Sequence, residues 1–326
     1  MSGAAPSPGS DRSIRIGISA CLLGEAVRFD GGHKRDSFLT DVLGRYVEWV
    51  PVCPEVEIGL GTPRESIRLA SVNGGTRLVG TRSGADHTLA MRRYARLRVT
   101  ELGGADLDGY VLKKDSPSCG LHRIRVYGAA GQPPSRDGRG LFAEELARRL
   151  PELPVEEEGR LTDPRLRENW VERVFAYRRL KTLFGGRWTT GSLVAFHTAH
   201  KLQLLSHSVD DYRQLGRLVA GATSLPPSEV AARYRQGVMA TLTRPATTRR
   251  HANVLQHAAG HLKRLIDGDE RAELAELIVD YRAGLVPVVV PITLLRHHVR
   301  RHKVDYLAGQ TYLEPHPKEL MLRNHV

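Results

Sequence analysis

Apolar residues follow two different rhythms along this chain. In the first half they form short runs at 14–21, 48–55 and 108–114, each of a length that suits a buried strand and each bounded by glycine, proline or charged residues. Between and after them, 36–47, 86–102 and 141–150 carry apolar side chains at three- and four-residue spacing, which predicts helices, the second of them strongly basic. Asp36 stands where a helix N-cap is expected. Residues 123–128 have the pattern of a short further strand. Pro51 counts against a central strand at 48–55, because proline is confined to strand edges and ends. Strands that alternate with helices predict an α/β domain built on a Rossmann-like parallel sheet.

The rhythm changes after 151–164, a proline-bearing stretch with an acidic run. That boundary places an N-terminal domain at 1–155 and an all-α domain at 156–326. Helical spacing predicts helices at 164–184, 191–206, 208–221, 226–242, 245–266, 269–283 and 291–302. Pro226, Pro227, Pro245, Asp269 and Gly284 punctuate them in start and stop roles. Glu156, Glu157 and Glu158 read as a solvated linker, with support for the mouth of a site as the other reading. No internal repeat is found.

Composition narrows the class. No apolar run approaches the length that crosses a bilayer, and 286–295 is broken by prolines. Residues 1–11 are small and polar, a disordered tail by expectation, without the apolar core of a signal sequence. A cytoplasmic protein without a membrane association follows as the expectation. Three cysteines, none close in sequence to another, argue against a disulfide framework. The net charge of +12 and pI near 9.9 favour a polyanionic partner, since basic side chains displace its counterions.

Cys21, Cys53 and Cys119 each lie at, or a few residues past, the C-terminal end of an expected strand. Ligands of open α/β sheets collect at that edge. Three cysteines far apart in the chain would therefore meet there. Each also stands beside a polar group or backbone breaker, unlike an ordinary core cysteine. The residue types leave three chemistries open: a nucleophilic thiol with a base partner, zinc on three thiolates, and an iron–sulfur cluster with one iron free of protein ligands. Spacing does not separate the last two.

Three segments in order, ISACLLGEAVRFDGGHK (18–34), PVCPEVEIGLGTPRESIRL (51–69) and LKKDSPSCG (112–120), resemble the signature segments of TudS-type thiouracil desulfidases. The resemblance covers residues 14–150 and departs from the family where Arg28-Phe29-Asp30 replaces a Cys-Arg-Tyr-Asp found in many members. It implies a [4Fe-4S] cluster on Cys21, Cys53 and Cys119, with its fourth iron facing substrate. It implies catalytic roles for Glu55, as general base for an attacking water, and for Ser116, as a donor to the ring or the tetrahedral centre. Lys113 or Lys114 would offset negative charge.

The second half is similar to YbgA-like helical domains through 195–208, 249–263, 281–298 and 312–323. The fusion resembles RudS-like enzymes, which implies removal of sulfur from 4-thiouridine in tRNA, with no obligate protein partner. Desulfidation of free thiouracil or thiouridine nucleotides, and a non-catalytic RNA-binding protein with a structural metal site, are the other readings. Read by its residues alone, this half holds 11 of the 14 histidines. His257/His261 and His197/His200 lack the glutamate of a zincin motif, so neither pair predicts a metal site. Arg249, Arg250 and Asn253 cluster at one helix start, with Gln256 and His257 beyond them. Arg300 and Arg301 sit in a second basic run from Arg296 to Lys303. Both clusters suit phosphate and RNA contact, against the alternative of a solvated face.

Overall fold

The computed structural model describes residues 14–128 and 132–325, so the tail expected at 1–11 lies outside the described residues. The chain divides into two units, one ending at Gly159 and the other starting at Arg160.

In the first unit, β1 (Ile14–Ser19), β2 (Val47–Val52), the short α1 (Pro54–Glu57), β3 (Ile67–Val72), β4 (Gly75–Gly80), α2 (Thr88–Gly104), β5 (Gly109–Leu112), β6 (Ile124–Tyr127), β7 (Ser135–Gly138), α3 (Leu141–Arg149) and β8 (Val155–Glu157) follow in order. The main sheet has the order β2-β1-β5-β8, and all its pairs are parallel. β2 is an edge strand, which is why it tolerates Pro51. Ile16, Ile18, Tyr110, Val111 and Leu112 are wholly buried in this sheet. Helix α2 turns Met91, Ala95, Val99 and Leu102 into the core at three- and four-residue spacing, and α3 adds Phe142, Ala143 and Leu146.

A second sheet, β4-β3-β6-β7, is mixed, with only β3 and β6 parallel. It takes up the strand expected at 123–128. β4 and β7 carry too few apolar residues to be read from pattern. The helix expected at 36–47 is replaced by a π turn, Phe38–Val42, and a 3-10 turn, Leu43–Arg45. Asp36 still accepts the Leu39 N–H at 3.0 Å.

The acidic run is a correction. The unit boundary falls after Gly159, four residues beyond the one expected, because Val155–Glu157 pairs with β5 as the last strand of the main sheet. Glu156, Glu157 and Glu158 are buried and do not form a solvated linker.

The second unit is all-α: α4 (Pro164–Phe184), α5 (Thr190–Ala199), α6 (Lys201–His207), α7 (Val209–Ala220), α8 (Pro227–Leu242), α9 (Thr248–Gly260), α10 (Gly268–Ala283), α11 (Val289–Arg301) and the short α12 (Asp305–Ala308). The helix expected at 191–206 breaks at His200, whose Nδ1 binds the Phe196 carbonyl at 2.8 Å while its ring stacks on Phe196. Two cores stabilise the bundle, one around Tyr234 and one around Leu255 and Tyr312. Among the described residues, no helix is long and apolar enough to cross a membrane.

Burial in this bundle has a pH consequence. Desolvation pushes His200 and His251 down to about 3 and His316 to about 4. Unfolded, each binds a proton near pH 6.5; folded, each stays neutral until far lower pH. Their contribution is present above pH 6.5 and is lost as pH falls toward the folded values. Stability followed by the helical circular dichroism signal is expected to fall by at least about 3 kcal/mol between pH 6.5 and 4. A flat stability profile over that range would contradict the burial of these rings.

Candidate active site

The three cysteines follow three parallel strands to one edge of the main sheet. Cys21 lies in the 3-10 turn Ala20–Leu23 directly after β1. Cys53 is the residue between β2 and α1. Cys119 sits in the loop after β5. All three line one cavity of about 420 Å³, together with Glu55, Arg64, Lys113 and Ser116.

The loop at 116–120 is built to hold a thiol still. Ser116 Oγ accepts the N–H groups of Ser118 at 3.2 Å and Cys119 at 3.0 Å. The Gly120 N–H closes the turn on the Ser116 carbonyl at 2.8 Å. A Cβ on Gly120 would lie 2.7 Å from that same carbonyl oxygen and 2.1 Å from Ile124 Cδ1, so only glycine fits. Cys53 is fixed from its other side. Its N–H donates to Glu57 Oε1 at 3.0 Å, while Tyr94 donates to Glu57 Oε2 at 2.6 Å.

Glu55 is held at both ends. Arg64 Nη2 donates to Oε2 at 2.7 Å, with side chains 6% and 14% exposed. Ser116 Oγ lies 3.3 Å from Oε1. Because Ser116 Oγ already accepts two backbone N–H groups, its own hydrogen points to Glu55. Ser116 therefore orients the carboxylate and cradles the Cys119 loop, which modifies its expected role as a donor to substrate. Arg64 Nη1 anchors in turn to the carbonyls of Val27 at 3.1 Å and Gly61 at 2.7 Å.

The acidic run forms the underside of this site. Glu158 binds Lys113 Nζ at 2.5 Å and the Lys114 N–H at 2.7 Å. Glu157 Oε1 accepts the N–H groups of Leu121 at 2.6 Å and His122 at 3.1 Å, just beyond the Cys119 loop. Lys113 is thus a paired cation and not a free one. The Glu158→Ala variant is expected to lose about 3 kcal/mol in urea unfolding of the first unit, since it strands a buried lysine charge. A change below about 0.5 kcal/mol would return the run to the role of a linker.

The donor set discriminates among the chemistries. Burial pushes the Cys21 thiol up to about 11 and raises Cys53 and, most of all, Cys119. No histidine lines the cavity among its described residues. Neutral thiols with no imidazole partner do not make an activated nucleophile. Three soft thiolate donors suit zinc and iron–sulfur sites alike.

Comparison with known proteins identifies the family of each domain. Residues 16–158 match the family model of 2-thiouracil desulfurase, and residues 201–317 match the model of DUF1722. The uncharacterized protein YbgA of Escherichia coli (strain K12) is 35% identical over 161 residues, 49% of this chain and 95% of YbgA. The chain is a 2-thiouracil desulfurase-family domain fused to a YbgA-like domain. The uncharacterized protein YbbK of Bacillus subtilis (strain 168) is 30% identical over 108 residues, 32% of this chain and 71% of YbbK. Among solved structures, the [4Fe-4S]-dependent thiouracil desulfidase TudS is 35% identical, with a TM-score of 0.39, and the match covers 46% of this chain and 95% of that one.

In the YbgA-like domain, Arg249 and Asn253 are exposed on α9, Arg250 is half-buried, and Arg300 and Arg301 are exposed at the end of α11. Several cations of the two basic clusters are already paired: Arg244 with Asp211, Arg296 with Glu314 and Arg301 with Glu270. Each of these pairs has one half-buried partner, so Arg244, Arg296 and Arg301 are not free cations.

Sequence reasoning missed Arg64 and Glu57, and gave Glu157 and Glu158 a part in the site only as its second reading. These partners of Glu55, Cys53 and the Cys119 loop are separated from them by turns or by whole elements, and no spacing rule brings them together.

Proposed function

We propose that the chain converts 4-thiouridine in tRNA to uridine, replacing the ring sulfur with a water oxygen and releasing hydrosulfide, without net redox change. The observation that carries the desulfidase chemistry is a cavity lined by three thiols and a clamped carboxylate at the end of a parallel sheet. Three soft donors on one cavity, in a domain of the 2-thiouracil desulfurase family, support a [4Fe-4S] cluster with Cys21, Cys53 and Cys119 as its protein ligands. When bound, such a cluster supplies a Lewis-acidic iron for the thiocarbonyl sulfur.

The chain's own residues do the rest. Glu55, fixed by Arg64 and Ser116, takes the proton of the attacking water and returns it to the departing sulfur. The Arg64 guanidinium keeps that carboxylate aimed and compensated in a largely enclosed site. Lys113 is held by Glu158 at the cavity wall, where its charge faces developing negative charge on substrate. The raised thiols mean that loading of the site releases protons.

The tRNA assignment is supported by the net charge of +12 and by exposed arginines on the helical domain. A base in RNA must leave its stack to enter such a cavity, and a domain that grips the strand favours that step. Turnover on thiolated tRNA, a 4-thiouridine nucleotide and free 4-thiouracil tests the assignment. The expected result is a kcat/KM for tRNA at least about 10-fold above both small substrates, lost on charge reversal of Arg249, Arg250, Arg300 and Arg301 together with a shallower salt dependence of binding. Equal turnover of free base and tRNA would move the reading to a small-molecule desulfidase.

A further inference from the structure

The end of α11 is a basic stretch in sequence, but the fold divides it. His298 is only 2% exposed, and neither of its ring nitrogens has a hydrogen-bond partner. Nε2 of His302, four residues on, is likewise buried without a partner. Four residues are about one helical turn, so both imidazoles share a face. The first turn of α10 presents Glu270 to that face. Among the described residues, Glu270, His298 and His302 are the group whose ligand atoms all lie within 4.8 Å of one another.

Buried polar atoms without partners are uncommon and ask for a ligand. Two histidines at helical spacing plus a carboxylate from a neighbouring helix are the donor set of three-ligand zinc sites, which leave a fourth position for water. Imidazole nitrogen also selects zinc over the hard cations that prefer oxygen cages. We propose that Glu270, His298 and His302 form a zinc site that ties the N-terminus of α10 to the C-terminus of α11. Glu270 Oε2 accepts the Asp267 N–H at 3.1 Å, and Oε1 meets the Arg301 guanidinium at 2.5 Å. These two contacts orient the carboxylate in the way outer partners orient metal ligands. Arg301 then serves as a positioning residue of this site. The site shares no residue with the cysteine cavity, so it does not rest on the desulfidase reading.

The test uses the full chain, purified anaerobically so that its thiols carry their own cofactor, treated with chelator and desalted. Calorimetric titration with zinc chloride is expected to show one tight site and a rise in Tm. Glu270→Gln and His302→Ala are expected to weaken zinc at least about 10-fold, with iron content unchanged. Folding is judged separately, by comparing the helical circular dichroism of both variants with that of the parent. His302→Asn, smaller in its change, is expected to lose zinc with the same helical signal. Absence of zinc uptake by the parent, or uptake by the variants as tight as the parent's, would overturn the site.

Discussion

Replacing Cys119 by alanine is expected to remove iron, visible absorbance and turnover together. Its loop is the most constrained of the three, locked by Ser116 Oγ, by the Gly120 turn and by Glu157 beneath the following residues. Such a loop does not shift to offer a substitute ligand, and two remaining thiolates do not hold a four-iron core as three do. Iron should fall to background and desulfidation below detection. The fold should persist, because cysteine to alanine removes one sulfur from a loop and not from the main sheet. Full turnover by the variant would show that the thiols are packing residues only.

Glu55→Gln is expected to leave iron content unchanged and to lower kcat/KM by about 10²–10⁴. Glutamine keeps the volume of the side chain and an oxygen for Arg64 Nη2, but it accepts no proton from water. The contrast with Cys119→Ala is diagnostic: one variant loses the metal and activity, the other activity alone. Retained turnover would remove Glu55 from the chemistry and leave it as the partner of Arg64.

Much of this site was legible from sequence because it lies at strand ends. The parallel sheet brings residues 21, 53 and 119 together whatever their separation, and apolar runs located three of its four strands. The fourth, Val155–Glu157, was not legible. Its glutamates look like a solvated run, and only the closed site explains them: Glu157 and Glu158 accept backbone N–H groups and a lysine that would otherwise be buried unpaired. Ser116 lines the cavity as the family resemblance implied, but its role changes once its two backbone partners are known. Helices were read well where a single apolar face recurs, as in 208–221. The break at His200, where the ring binds and stacks on Phe196 of the preceding turn, was missed because apolar spacing runs through it unchanged. His298 and His302 looked like part of a charged surface, since a basic run does not reveal which of its members turn inward.

The account depends on three thiols that gather around one cavity to hold an iron–sulfur core with a corner left for substrate. Iron and acid-labile sulfide content of the anaerobically purified chain tests this most directly. About four irons and four sulfides per chain are predicted. One zinc at the cysteines with no sulfide, or no metal there at all, would contradict it.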